Sequence, residues 1–357
     1  MITEATKQLV AAVRDPSSSE PEMQAAAQSV LNLVTKSSAS EANAAITELA
    51  GYISLDDPLR GAFVALVCGA MVEDGCDPTP LTEQLIPLLK SLLESSVRLA
   101  EVCVARLPKL ENEDDDEDAT EVFDTIREQV SPEMPLESTA WEALNRLWPP
   151  AIAVFSVSPS ARVGARGLRD LATKIVEYHD AGHWLSRMLS VLDNEPTLVI
   201  EPQTRLGMLA RMSGVVENFQ LNVLLMDTFP NPGIFARRRV PKSVADVARG
   251  IGPQQTDETV KGCWNLYNWT AIEPGLKLPD SSNYRDSDSW IWGEGSPEDI
   301  SVFEGRRVVL LGPASYARAW GCARMFDKLP ATLEVEQNLA KDEVTDWLQR
   351  MLTAKTA

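Results

Sequence analysis

The chain has 357 residues, 52 of them acidic and 33 basic, and its formal charge at pH 7 is −19. Such a charge repels phosphate groups, which makes nucleic acid and anionic membrane surfaces poor partners. Hydrophobic residues make up 44% of the chain, which is ordinary for a globular protein with a large buried core.

The acidic residues are concentrated in the first part of the chain. Residues 1–150 contain 27 acidic and 10 basic side chains, whereas residues 151–357 contain 25 and 23. At roughly 150 residues per domain, the length also indicates two domains. We therefore predict an acidic all-helical domain over 1–150, and over 151–357 a second domain in which a helical lead-in precedes a mixed α/β region.

The sequence offers no membrane or export signal. No run approaches the roughly 18 apolar residues that a membrane-spanning helix needs, and the first residues lack the basic and apolar segments of a secretory leader. The five cysteines are odd in number and form no C-x-x-C pair, which favours a reducing compartment. We therefore expect a cytoplasmic protein.

Apolar side chains at three- and four-residue spacing predict helices almost throughout residues 1–107. The clearest start is at Asp57, because its carboxylate can accept from free amides and Pro58 occupies the first helical position. Ser40 is expected to cap a helix that ends near Ile53. One or two helices should cover Leu81–Leu107, with a kink or restart at Pro87.

Helices of this kind, joined by short loops, are typical of a helical-hairpin array of the HEAT or armadillo type. No two units of the sequence align residue by residue, so an irregular helical bundle is the alternative. An acidic run, Glu111–Asp118, interrupts the pattern. Because contiguous like charges repel one another, it predicts a solvated surface loop over about 109–119.

Helices are predicted to resume after this loop and to alternate with strands only beyond residue 195. We expect a helix break at Trp148–Pro150, a strand at Arg306–Leu311 that ends at Gly312, and a helix at Tyr316–Met325 capped by Ser315. Other strands are predicted at 197–200, 205–212 and 332–336, and other helices at 121–130, 139–147, 160–178, 182–192, 216–229 and 342–351. Helices followed by mixed elements favour an α+β fold over a doubly wound sheet.

Residues 230–300 are predicted to be loops, because they contain seven prolines and many glycines. They also contain four tryptophans, which argue against disorder. We expect these loops to be ordered, to pack over the α/β region and to form the wall of the principal pocket. Trp264 and Trp292 should be buried there, and Trp290 and Trp292 should project from the same side of an extended segment.

A candidate ligand-binding site combines two polar clusters with these tryptophans. Amide and acid side chains crowd the start of the helix predicted at 216–229, and more lie in the Trp-rich segment. Buried polar groups need partners, so such a cluster indicates either a capping network or the wall of a pocket for a small polar ligand. The candidate residues are Glu217, Asn218, Gln220, Trp264, Asn265, Tyr267, Asn268, Trp290 and Trp292.

The two histidines, His179 and His183, have the i,i+4 spacing of zinc ligands on a helix. Gly182 between them indicates a helix break, and the glutamate of the H-E-x-x-H motif is replaced by Asp180. Histidines at a helix terminus are the simpler interpretation. We therefore expect neither a metal ion nor another cofactor.

Two functions of different classes remain open. The first is an interaction or adaptor protein, in which a helical-repeat-like scaffold joined to an α/β module binds a protein partner. The second is a small-molecule-binding protein or a metal-independent enzyme, with a pocket for a polar ligand in the Trp-rich C-terminal half. An open, acidic concave face together with a solid C-terminal core would favour the first. A closed cavity lined by Glu217, Asn218, Trp264 and Asn268 would favour the second.

Overall fold

The computed structural model describes residues 1–108, 116–231, 239–279 and 289–356. Helices dominate the N-terminal half and a mixed sheet lies in the C-terminal half, so the predicted α+β class is confirmed. The chain divides into two compact units, a helical unit, Met1–Leu189, and an α/β unit, Ser190–Ala357.

The described residues of the helical unit contain helices and no strand, and the prediction for residues 1–107 is confirmed. A 3-10 turn, Arg166–Leu168, divides the helix predicted at 160–178, where Gly164 and Gly167 weaken helical propensity. The helices are α1 Ile2–Arg14, α2 Glu20–Val34, α3 Ala39–Ala50, α4 Pro58–Glu73, α5 Thr79–Arg106, α6 Asp116–Val130, α7 Pro135–Val157, α8 Pro159–Ala165, α9 Arg169–Thr173 and α10 Asp180–Leu189.

Side-chain caps determine where two of the helices start. At α4, Asp57 Oδ1 accepts from the N–H of Leu59 at 3.0 Å and of Arg60 at 3.2 Å, as predicted. The predicted cap of α3 is wrong by two residues. Ser38, not Ser40, caps this helix, because Ser38 and Glu41 form a reciprocal capping box.

Two sequence-based boundaries in the helical unit are wrong. The break predicted at Trp148–Pro150 does not occur, because α7 continues through both prolines. Gly69 of α4 lies against Pro150 so closely that an added Cβ would be 2.6 Å from the proline Cβ, and this packing offsets the lost hydrogen bonds. Of the predicted acidic loop, 109–115 lie outside the described residues, and 116–119 form the first turn of α6, where the helix dipole favours negative charge.

The α/β unit consists of β1 Glu195–Glu201, β2 Leu206–Ser213, α11 Asn218–Thr228, α12 Lys242–Arg249, β3 Gln255–Tyr267, β4 Val302–Phe303, β5 Arg306–Ala323, β6 Thr332–Asn338 and α13 Lys341–Thr356, with 3-10 turns at Trp269–Ala271 and Pro297–Asp299. The strand order in the sheet is β3-β5-β1-β2-β6, and β4 pairs with β5. β1 and β5 are parallel, and the other pairs are antiparallel.

Both faces of this sheet are buried. Val199, Val309 and Leu311 belong to a core that includes α11 and α12. Leu198, Ile200 and Leu310, which alternate with them along the strands, belong to a second core that includes α13. The sheet is therefore the middle layer of three.

β5 is much longer than predicted. It continues through Gly312 and Pro313, where the strand was expected to end, and the helix predicted at Tyr316–Met325 is wrong. β3 pairs with β5 along this length, and Pro313 lies beside a register shift between Gly262 and Trp264. A bulge is one of the places where a strand tolerates the missing proline N–H, so cross-strand pairing overrides the local signal.

The segment 230–300 is also less loop-like than predicted. Within it, Lys242–Arg249 form α12 and Gln255–Tyr267 form β3. The prolines and glycines of this segment predicted loops throughout. Several of them lie at the ends of α12 and β3, where they are compatible with a helix or a strand between them. Residues 232–238 and 280–288 of the segment lie outside the described residues.

One arginine connects the end of α1 with the start of α4. The Arg60 guanidinium donates to five backbone carbonyl oxygens, those of Ala12, Val13, Asp15, Pro16 and Ser18, at 2.7 to 3.4 Å. Its Nε lies 3.3 Å from Asp57 Oδ2, and its side chain is only 16% exposed. The carbonyl groups of Ala12 and Val13, in the last turn of α1, have no partner within the helix, so the guanidinium satisfies them.

Replacing Arg60 by glutamine should therefore destabilise the helical unit by about 2–4 kcal/mol, because several hydrogen bonds to a charged donor are lost. Urea unfolding followed by circular dichroism measures this loss. Lys36→Gln removes an exposed charge from the same unit and should change the stability by less than about 0.5 kcal/mol. Equal effects of the two variants would contradict the role of Arg60.

Candidate functional site

The structure divides the predicted ligand-binding residues between the two faces of the sheet. Trp264 belongs to the core beside α11 and α12. Tyr267 and Trp290 belong to, or pack against, the core beside α13. Because the sheet lies between these groups, the nine residues do not line one common pocket.

Two of the predicted amide side chains cap backbone groups. Gln220 Nε2 donates to the carbonyl oxygen of Ala248 at 2.7 Å, and its Oε1 accepts from the Val216 N–H at 3.0 Å. Asn268 Oδ1 accepts from the Ser301 N–H at 2.9 Å. For these residues the geometry corresponds to a capping network.

The start of α11 is capped by the turn that follows Trp292. Asn218 and Phe219 donate their backbone N–H groups to the carbonyl oxygens of Gly295 at 2.9 Å and Gly293 at 2.8 Å. Asn218 Nδ2 donates to the Trp292 carbonyl oxygen, also at 2.9 Å. Glu217 is the half-buried N-cap residue of the helix and makes no side-chain cap hydrogen bond.

Two buried amide oxygens of α11 have no hydrogen-bond partner in the described part of the chain. They are Oδ1 of Asn218, which is 2% exposed, and Oδ1 of Asn222, which is 5% exposed. The two residues are one helical turn apart and lie on one face. The amide cluster therefore retains hydrogen-bonding capacity for a small polar group at this face.

Asn265 and Tyr267 lie on the opposite face of the sheet, on β3. Both are fully buried, and the two side chains are hydrogen bonded to each other. Burial raises the pKa of Tyr267, which keeps the phenol protonated. Arg318 Nη1 lies 3.5 Å from Asn265 Oδ1.

The three predicted tryptophans have different environments. Trp264 is 5% exposed, its Nε1 donates to Glu201 Oε1 at 2.9 Å, and the Arg239 guanidinium lies 4.6 Å from its ring. The rings of Trp290 and Trp292 are 5.8 Å apart. Trp292 is 55% exposed, so its predicted burial is wrong. The backbone carbonyl group of Trp292, which accepts from Asn218, therefore matters more to the fold than its indole ring does.

The helical unit contains a polar cavity of about 400 Å³, which the sequence indicated only through its two histidines. We call it the helical cavity. Its walls come from α6, α7, α10 and the segment before α10. The lining residues are Asp124, Arg127, Trp141, Glu142, Asn145, Val176, Glu177, Tyr178, His179, Asp180 and His183.

His179 is held by hydrogen bonds at both ring nitrogens. Nε2 lies 3.1 Å from the Trp141 carbonyl oxygen, and Nδ1 accepts from the Ala181 N–H at 3.0 Å. These partners require a neutral ring protonated on Nε2, and burial lowers the pKa of His179. A metal ion would have to displace one of these bonds, and no group of three His, Cys, Asp or Glu side chains among the described residues could hold one.

Arg127 forms two ion pairs within the helical cavity. Its guanidinium lies 3.2 Å from both Asp124 Oδ1 and Glu142 Oε1, and 5.8 Å from the centre of the Trp141 ring. Four carboxylates line the cavity, against this one guanidinium. The cavity is therefore an anionic environment that favours a bound cation.

Comparisons of the chain with protein-family models, with curated proteins and with solved structures found no match. Among the described helices, none is long and apolar enough to cross a membrane. A proposal for function therefore depends on the chemistry of the chain's own residues.

The different environments of the tryptophans predict different stabilities for two alanine variants. Trp264→Ala should lower the unfolding free energy by about 3–5 kcal/mol, because a buried indole is lost from a packed core. Trp292→Ala should change it by less than about 1 kcal/mol, since more than half of this side chain is in solvent. Urea unfolding measures both, and similar losses would contradict the assignment.

The buried neutral imidazole of His179 predicts a pH dependence of stability. Its pKa is lowered in the folded state from the ordinary value of 6.5, so below that pH the unfolded chain binds a proton that the folded chain does not. Stability should fall as the pH drops through 6.5, by less than about 1.4 kcal/mol per pH unit.

Urea unfolding at about pH 7.5 and about pH 5.5 tests this expectation. His179→Gln should reduce the difference between the two stabilities, whereas His183→Gln, at an exposed position on the same cavity, should leave most of it. An unchanged difference in His179→Gln would show that other groups cause the dependence.

Proposed function

We propose that this protein is an interaction protein whose helical unit binds a basic segment of a partner protein in the helical cavity. The carrying observation is the set of four carboxylates around a cavity with one guanidinium. The net charge of the helical unit also supports this proposal, because residues 1–189 contain 30 acidic and 15 basic side chains. Such a field accelerates the approach of a basic partner.

The cavity carboxylates have two roles in this proposal. Asp124 and Glu142 hold Arg127 in place through its ion pairs. Glu177 and Asp180 are exposed at the cavity, where an incoming lysine or arginine would form charge-assisted hydrogen bonds with them. The stem of that side chain would pack on the ring of Tyr178, which stacks on Phe123 with centroids 4.1 Å apart.

The α/β unit gives less support to an enzyme built on the Trp-rich segment. The predicted pocket residues are divided between two faces of the sheet, and several cap backbone groups. These residues therefore do not form the closed cavity that would favour an enzyme built on this segment.

The proposal includes a scaffold type and a location. Helix lengths in the unit range from 5 residues in α9 to 28 in α5. Such unequal lengths favour an irregular bundle over a regular repeat array. The five cysteines are free thiols, which supports a reducing cytoplasm.

The test uses a fluorescent peptide of alternating arginine and lysine, with an acidic peptide of equal length as the reference ligand. The double variant Glu177→Gln/Asp180→Asn should weaken binding of the basic peptide about tenfold, because two charge-assisted hydrogen bonds are lost. Fluorescence anisotropy gives the Kd, which should rise with added salt.

Glu73→Gln/Glu83→Gln is the matched control, since it removes the same charge from exposed positions outside the cavity lining. It should weaken binding less than about threefold, because screening limits the effect of distant charges. If both double variants weaken binding equally, attraction is non-specific and the cavity is not the site. Absence of binding to the wild-type protein would also refute the proposal.

A further inference from the structure

The α/β unit contains a second cavity, of about 380 Å³, at one end of the sheet. The turn that joins β1 to β2 forms one wall, and a second turn, 275–279, forms another. Leu311 and Pro313 of β5 complete the lining of this cavity. We call it the sheet-end cavity, and its volume lies in the range of small-molecule sites.

The lining of this cavity is mainly apolar, but it carries two positive charges. Leu276 and Leu278 provide apolar surface, and Pro202, Pro279 and Pro313 provide more. The charges belong to Arg205, which is half-buried, and to Lys277, which is exposed. No carboxylate is among the lining residues in the described part of the chain, which distinguishes it from the helical cavity.

Two residues at the cavity have a strained backbone, and a hydrogen bond joins the turns that contain them. Arg205 has φ +57° and Leu276 has φ +56°, both in the left-handed region that side-chain-bearing residues seldom adopt. Arg205 Nη1 donates to the Leu276 carbonyl oxygen at 3.1 Å, which joins the two turns. Residues with such a strained backbone are concentrated at ligand sites in proteins. Here the hydrogen bond to Leu276 holds the Arg205 guanidinium at the cavity.

We propose that the sheet-end cavity binds a small aliphatic carboxylic acid, with its carboxylate between Arg205 and Lys277 and its chain against the leucines and prolines. A guanidinium beside an ammonium group matches a carboxylate in charge and in hydrogen bonding. The apolar lining matches a hydrocarbon chain. The three prolines have no backbone N–H, so these parts of the wall offer no donor to the carbonyl groups of a bound peptide.

This inference is independent of the proposed function, because every residue involved belongs to the α/β unit. Binding of the basic peptide should be the same in the variants below, so the two proposals can fail separately.

Octanoate, octanol and octylamine are the probes, and isothermal titration calorimetry is the measurement. Octanoate should bind with a Kd of about 0.1–1 mM, and octanol and octylamine at least about tenfold more weakly, because they cannot pair with two cations. Arg205→Asn should weaken octanoate binding about tenfold. Asparagine is chosen because it tolerates the left-handed backbone.

Lys277→Gln should weaken octanoate binding about threefold, as expected for an exposed charge, and it does not depend on the fold tolerating a change at Arg205. Lys261→Gln removes an exposed charge from β3 outside the cavity lining and should leave the Kd unchanged. The proposal is overturned if octanoate does not bind, if octanol binds as tightly, or if both Arg205→Asn and Lys277→Gln bind octanoate like the wild type.

Discussion

Arginine side chains donate to backbone carbonyl groups at helix ends and in loops in both units of this protein, and the fold depends on this interaction. Arg60 donates to five carbonyl oxygens at the end of α1 and in the following loop. Arg162, Arg239, Arg307 and Arg324 each donate to two others. A guanidinium suits this task because its five N–H groups are spread over three nitrogens, whereas lysine has three donors on one atom.

This use of arginine also shapes the electrostatics of the sites. A guanidinium that donates to internal carbonyl groups, as Arg60 and Arg162 do, neutralises few surface carboxylates. The anionic character of the helical cavity follows, because Arg127 is shared between Asp124 and Glu142 while Glu177 and Asp180 remain at the surface. The sheet-end cavity has the opposite character, because Arg205 and Lys277 both line it and no carboxylate does in the described part of the chain.

The sequence predicts those features that depend on neighbouring residues. The start of α4 is an example, because Asp57 and Pro58 carry the whole capping signal. It fails where distant partners decide. β5 continues past Pro313 because β3 pairs with it, and α7 continues through Pro150 because Gly69 allows close packing. In the candidate site, the sequence indicated the cluster of polar side chains around Asn218. Whether these amides bind a ligand or cap a helix depends on the turn at Gly293–Gly295, which lies about 75 residues away in the sequence. The sequence indicated the helical cavity only through its two histidines, because its carboxylates come from α6, α7, α10 and the segment before α10, which are brought together only by packing.

The two cavities illustrate how charge and strain indicate different kinds of ligand. Three of the four carboxylates of the helical cavity lie on helices, and Glu177 lies in the segment before α10. All four are exposed, so a mobile basic segment can reach them from solvent, and recognition there depends on long-range attraction. The sheet-end cavity lies in a unit that is nearly neutral, since residues 190–357 contain 22 acidic and 18 basic side chains. Long-range attraction is weak in such a unit, and binding must come from contact: an apolar lining for the ligand body and a guanidinium that is already positioned. The left-handed backbone of Arg205 and Leu276 is then part of the site, because it places that guanidinium before the ligand arrives and reduces the entropy lost on binding.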